Sequence, residues 1–364
     1  MTLFSKQPAN EPAIHAKAPN STRSPVQPSV SILLITLLLS WSWGASAESV
    51  NGAWFLAVDN DTFAQSDDHY TNGLQLGWVS GYLKSFEEGP VPGFVGSALG
   101  HLPRINRKDR QRFISHSLSH RIFTPSDTET SEPIENDMPY SGLLFASLTA
   151  GAQDAISMDA FTLYYGIAGP SARGEAVQNE FHRLIKVDRV HGWDNQIGDE
   201  ILLNVAYEYR RRLWSFGSTR GWGGDVIGQA GGMLGNLMSM VTTGVGARFG
   251  WGVPDDYGIP PQFFGEESIG SRPYTSYGTH TGVWLFALVN GSLIGNAIFW
   301  DGNTFKESMS VDYDPGIGRL YLGINARTGN WSASFAVTKT TVPWENPENR
   351  SVQTYGRIGI RYSY

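Results

Sequence analysis

The chain of 364 residues has no cysteine, which excludes both a disulfide framework and a thiolate-ligated metal site. Charge is sparse as well, at 17% of residues. No basic block exists to track a phosphate backbone, so nucleic acid is not an expected partner. Beyond residue 47 no segment approaches the ~20 consecutive apolar residues that a membrane-spanning helix needs. What the chain does have is 42 glycines, 15 tyrosines and 12 tryptophans. Few charges with many glycines and aromatics suit a transmembrane barrel, whose strands are apolar only at alternate positions and whose aromatics sit at the membrane interfaces.

Residues 1–30 are polar, interrupted by proline, and carry Lys6, Lys17 and Arg23. An apolar run follows, Ile32-Leu33-Leu34-Ile35-Thr36-Leu37-Leu38-Leu39, and leads to Ala45-Ser46-Ala47. A positive region, a short apolar region and a small-x-small site describe a secretory signal. The run is too short to serve as an anchor helix. Residues 1–47 are therefore expected to be removed, leaving 48–364 as one outer-membrane domain. That removal takes three basic residues and one acidic residue from a chain of net charge −7, so the mature domain is more acidic still.

Period-2 alternation recurs along the mature chain. Leu203, Val205, Tyr207 and Tyr209 alternate with Asn204, Ala206, Glu208 and Arg210. Trp331, Ala333, Phe335 and Val337 alternate with small or polar residues, as do Leu74, Leu76 and Trp78. Alternation by itself fits a soluble sandwich or a membrane barrel. The last strand favours the barrel. It carries apolar or aromatic residues at Ile358, Ile360, Tyr362 and Tyr364, a pattern resembling the terminal signal of outer-membrane barrels. Twelve strands are expected, at 53–60, 70–81, 112–123, 140–151, 156–168, 200–214, 222–232, 238–251, 278–290, 315–327, 330–342 and 353–364. The expected fold is all-β: a closed antiparallel transmembrane barrel with both termini in the periplasm. The segment 82–111 is long for a periplasmic connection. Residues 175–186 place Val177, Phe181 and Leu184–Ile185 at helical spacing, which reads as a short amphipathic helix in a loop.

Three groups of residues could carry chemistry. Asp59-Asn60-Asp61 with Asp67-Asp68-His69-Tyr70-Thr71-Asn72-Gly73 is dense in oxygen donors of the kind Ca2+ takes. The same residue types also build hairpin turns, and the spacing alone favours the turn. The second group is His182 with Gln178, Asn179 and Asp188. A histidine can act as general base near neutral pH, but in a chain with eight histidines an ordinary surface residue on a loop helix is the reading the sequence alone favours. The third, Thr124-Pro125-Ser126 through Asp137-Met138-Pro139-Tyr140-Ser141-Gly142, reads as a loop with no evident role. In the expected topology the connections 59–73, 124–140 and 169–199 all lie on the extracellular side. Candidate metal ligands and candidate base then share one rim.

These motifs carry a resemblance. Asn60-Asp61, Tyr70-Thr71-x-Gly73, Thr124-Pro125-Ser126, Pro139-Tyr140-x-Gly142, and above all Gly169-Pro170-x-Ala172-x-Gly174-Glu175-x-Val177-Gln178-Asn179-x-x-His182-Arg183, look like the lipid A 3′-O-deacylase family of outer-membrane barrels. The resemblance covers essentially the whole mature chain. It implies a twelve-stranded, Ca2+-dependent hydrolase that removes the acyl chains at the 3′ position of lipid A in the outer leaflet. It also implies that Asn60 and Asp61 bind the metal, that Thr71 belongs to the active site and that His182 is catalytic. Asp188 falls where the family has a glutamate, and it is expected to support the metal or orient His182. A lysine of the family's active site has no counterpart in Asp127-Thr128-Glu129-Thr130. The expected mechanism is attack by His182-activated water on an ester. The alternatives are an outer-membrane phospholipase or esterase, although no serine lies in a recognisable nucleophile elbow, and a non-catalytic porin-like barrel.

Overall fold

A computed structural model describes residues 52–64, 70–186, 189–260, 281–345 and 351–364. The signal segment lies outside them. Twelve antiparallel strands close into a barrel in sequence order, with the first paired to the last. They are β1 (Gly52–Asn60), β2 (Tyr70–Ser80), β3 (Gln111–Phe123), β4 (Ser141–Gln153), β5 (Ser157–Ala168) and β6 (Glu200–Gly217). The circuit continues through β7 (Trp222–Gly235), β8 (Met238–Trp251), β9 (Gly282–Ala297), β10 (Gly316–Thr328), β11 (Trp331–Thr341) and β12 (Val352–Ser363). All twelve expected strands are present. β9 departs most in its bounds: it runs on to Ala297, and the start expected at 278 lies outside the described residues.

Closure is fixed by register, with Ala53 opposite Ser363 and Asn60 opposite Gly356. Pairing every strand on both sides leaves no exposed edge of unsatisfied backbone, which the bilayer would penalise. Alternate residues then face lipid. On β9 the side chains of Val283, Leu285, Val289 and Leu293 are exposed, whereas Trp284, Phe286, Leu288 and Asn290 between them are buried in the lumen. At the periplasmic ends the outward positions become aromatic, with Trp54, Trp78, Trp222, Trp251, Trp331 and Tyr362 among them. These form an interfacial girdle.

Side chains and loops fill the lumen. At the extracellular mouth a single helical turn (Ile298–Asp301) folds inward. Phe299 stacks on Phe123 at 4.2 Å, and Trp300 packs on Trp344, within one apolar cluster that also takes in Leu143, Phe145, Met233 and Met240. At the other end the segment after β8 turns into the barrel. Arg248 clamps Asp225 through two hydrogen bonds of 2.9 and 2.6 Å and also pairs with Asp256. Arg210 donates to the carbonyl of Ile259 at 2.9 Å.

Two elements lie outside the wall. Helix α1 (Gly93–Leu99) belongs to the connection between β2 and β3. Helix α2 (Gly174–Ile185) follows β5, within a residue of the helix expected at 175–186. Both pack on the outer face of β3–β5, and as a result β4 has no exposed residue along its whole length.

Candidate active site

Strand parity decides which side of the wall each candidate occupies. Asp59 points into the lumen, where it accepts a hydrogen bond from Tyr70 Oη at 2.6 Å and pairs with Arg121 and Arg357. It is fully engaged in bracing β1, β2, β3 and β12 and faces the opposite side of the wall from its neighbour Asn60. Asn60, one residue on, points outward. Its register partner Asn72 pairs with Ile122, which pairs with Gly142. These four residues form one outward row across β1–β4, spanning three strand spacings, or about 14 Å.

Both ends of this row are covered. At β1 a 3-10 turn (Asp61–Ala64) folds over the outer face of β12, where a Cβ on Gly356 would lie 2.5 Å from that of Phe63. Asn60 and Asp61 are buried beneath it, at 3% and 5% exposure. The amide of Asn60 accepts from Thr62 N at 3.0 Å and donates to the carbonyl of Thr71 at 2.9 Å. One oxygen of Asp61 accepts from Thr62 N at 2.7 Å. At β4, Gly169 has φ +92°, and a Cβ there would strike the backbone of Gly198. This glycine allows the chain to leave β5 sharply and enter a 3-10 turn (Pro170–Ala172). Asp199 holds that turn by accepting from Ser171 N and Oγ, each at 2.7 Å. It lies on β3, with the carbonyl of Ala172 2.9 Å from His120 Nε2.

Helix α2 then starts directly on the wall. A Cβ on Gly142 would sit 3.0 Å from Gly174 N, so only glycines permit this approach. Gln178, one turn along, is buried and accepts from Trp193 Nε1 at 2.8 Å. Trp193 packs on Tyr140 at 5.1 Å, and both join Ile122 and Val190 in a small cluster. Burial pushes the Tyr140 phenol up to about 12, so the ring stays neutral beneath the helix. His182 lies four residues past Gln178 and eight past Gly174, on the side of the helix turned to the wall, and is half-buried. Val177 is exposed instead. The start of the helix thus packs through Gly174 and Gln178, with Val177 left outside. On the exposed surface Arg183 pairs with Glu180, which holds the Glu180 carboxyl below its usual range.

Thr71 reaches the site through a bulge. The β2–β3 register slips between Tyr70 and Asn72, so Tyr70 turns inward, Asn72 outward, and Thr71 is the extra residue. Bulges re-aim side chains in this way. The Thr71 hydroxyl lies 2.8 Å from that of Thr124, a buried residue just past β3. Sequence reasoning left Thr124 in a loop without a role. The same loop is held by Asp137, which accepts from Ser126 N at 2.7 Å and Ser126 Oγ at 2.6 Å.

The structure thus brings Asn60, Asp61 and Thr71 to one place, and carries His182 on a helix over the same outer wall. Asp188, Asp67, Asp68 and His69 lie outside the described residues. Among the described residues, no three His, Asp or Glu side chains gather at one point. The donors that do gather are oxygens of one carboxylate, one amide and three threonines, a set that suits a hard cation in kind. Below the polar row the outward residues turn apolar: Leu56, Leu74 and Leu76 are exposed. The floor is polar at the rim and apolar toward the membrane.

A twelve-stranded outer-membrane barrel, filled along its axis and bearing a polar cluster of Asn60, Asp61 and Thr71 on its outer wall at the extracellular rim, is the class that fold and site define. The chain belongs to the LpxR outer membrane protein family, whose model matches residues 32–364. Its fold is similar to that of LpxR from Salmonella typhimurium, with TM-score 0.68, 18% identity and coverage of 85% of this chain and 99% of that one. The β domain of the Bordetella autotransporter BrkA gives TM-score 0.40 at 11% identity, over 87% of this chain and 100% of that one. No curated protein sequence matches the chain.

Proposed function

We propose that this protein is a Ca2+-dependent hydrolase that removes the 3′-linked acyl chains of lipid A from the outer leaflet. The observation that carries the reading is the outward polar cluster of Asn60, Asp61 and Thr71. Polar side chains at lipid-facing positions are costly unless they are engaged or functional, and here they sit directly above an apolar wall. A substrate with a polar ester next to long acyl chains matches both surfaces. Membership of the LpxR family supports the same assignment.

Asn60 and Asp61, joined by Asp188, would hold the cation, which when bound polarises the ester carbonyl and offsets charge developing on its oxygen. His182 takes a proton from water, and the water oxygen bonds to the carbonyl carbon. The bond to the sugar oxygen then breaks, and the proton passes to that oxygen, releasing a fatty acid and a free 3′ hydroxyl. The Thr71 hydroxyl orients the ester against Asn60. Helix α2 is 12 residues long, about 18 Å at 1.5 Å per residue. That length is comparable to the row from Asn60 to Gly142, about 14 Å, and supports bringing His182 toward Asn60.

Mass spectrometry of lipid A from cells with and without the protein tests the reading. The expected outcome is loss of the 3′-linked acyl group, abolished by EDTA and restored by Ca2+. Intact lipid A with cleaved phospholipid would assign the protein to phospholipases instead, and indifference to chelator would remove the cation from the mechanism.

A further inference from the structure

The chain from 81 to 110 does not hang below the barrel. It folds up against the outer wall at the level of the aromatic girdle, where Leu83, Phe86 and Ile105 pack on the outward residues Ile114, Leu148, Ala150 and Ala152. Arg112, also outward, donates to the carbonyls of Lys84, Asn106 and Arg107 at 2.8, 3.1 and 3.0 Å. Asp159 faces outward on β5 and is fully buried by Arg104 and Arg110. The connection therefore stands where lipid contacts the neighbouring strands, and it is rigidly held there.

Its free surface has two parts. Val95 and Leu99 of α1 turn toward the wall, whereas Phe94 on the far side is 77% exposed. On the same connection Lys84 and Lys108 are exposed, as are Arg107, which pairs with Asp109, and Arg104, which pairs with Asp159. Residues 82–112 hold six basic and three acidic residues in a chain whose net charge is −7; Arg110 and Arg112 are buried, which leaves those four as the exposed cations, alongside exposed Glu87, Glu88 and Asp109. An aromatic side chain and cations on one connection at a membrane interface match a phospholipid monolayer, with acyl chains for the ring and phosphates for the cations.

We propose that the connection between β2 and β3 docks on the phospholipid headgroups of the periplasmic leaflet, with Phe94 inserted below the phosphates and Arg107 and Lys108 on them. Continuity with the girdle fixes the occupant. The segment extends the lipid-facing belt sideways from β3–β5, so the membrane that surrounds Trp78 also reaches α1. The proposal rests on the fold and is independent of the reading of the outward polar cluster.

The absence of cysteine makes the test direct. Phe94→Cys, and Glu129→Cys in an extracellular loop as the aqueous control, each give one nitroxide site on the mature protein reconstituted in phosphatidylethanolamine–phosphatidylglycerol vesicles. Collision with oxygen and with a nickel chelate reads depth. The label at 94 is expected to favour oxygen over nickel at least about tenfold more than the label at 129. Adding Arg107→Glu and Lys108→Glu should cut that preference severalfold while the barrel still migrates as folded on unheated gels. A label at 94 as accessible to nickel as the label at 129 would overturn the proposal, and so would a depth that ignores charge reversal.

Discussion

Thr71 and Thr124 approach each other through hydroxyl groups 2.8 Å apart, although 53 positions separate them in sequence. With Thr124 buried, its hydroxyl restricts where the Thr71 hydroxyl can point, and the Asn60 amide fixes the backbone of the same residue. Thr124→Val keeps the shape and deletes the hydroxyl. A net hydrogen bond contributes about 1 kcal/mol, so deacylation by this variant is expected to fall roughly fivefold, with Thr124→Ser recovering most of it. Equal rates for the valine and serine variants would show that the contact is only packing. This pair was not legible in the sequence, because a bulge and a loop end carry no period. The opposed fates of Asp59 and Asn60 were legible in principle, since adjacent strand residues must face opposite sides. Reading them together as one acidic cluster overlooked that constraint.

Elements divide in the same way. Strands announce themselves because one face meets lipid and the other a mixed lumen, which leaves period 2 in the sequence. The outer cover on β3–β5 leaves no such trace: Ile114, Leu148 and Ala150 are apolar whether they meet lipid or protein. The spacing of Val177 and Phe181 correctly marked helix α2, but not the side by which it packs. That depends on Gly142 and Gly174, whose close approach only the folded wall reveals. A Cβ on Gly174 would lie 2.4 Å from Trp193 Cη2. Gly174→Ala is therefore expected to push α2 off the wall and lower activity at least about tenfold, with little change in barrel stability because strand pairing is untouched. Unchanged lipid A deacylation by this variant would show that the helix need not sit so close.

At the scale of the whole molecule, the apolar cluster around Phe299 and Trp300 and the clamps at Arg248 and Arg210 make the lumen a core. In the proposed function the chemistry consequently lies on the outside, where a membrane-embedded substrate would need no path through the barrel. Planar-bilayer recordings are expected to show no stable channel; steady ohmic conductance would contradict the filled lumen and revive a porin-like role. The central claim is that the groups at Asn60–Asp61 and the imidazole of His182 act on one bond. A double-mutant cycle on deacylation rate measures that coupling directly. Asp61→Asn and His182→Ala are each expected to cost about 10²–10⁴ in rate, and the double variant to be no slower than the worse of the two. Losses that multiply, or a His182→Ala variant that deacylates lipid A as fast as the wild type, would contradict it.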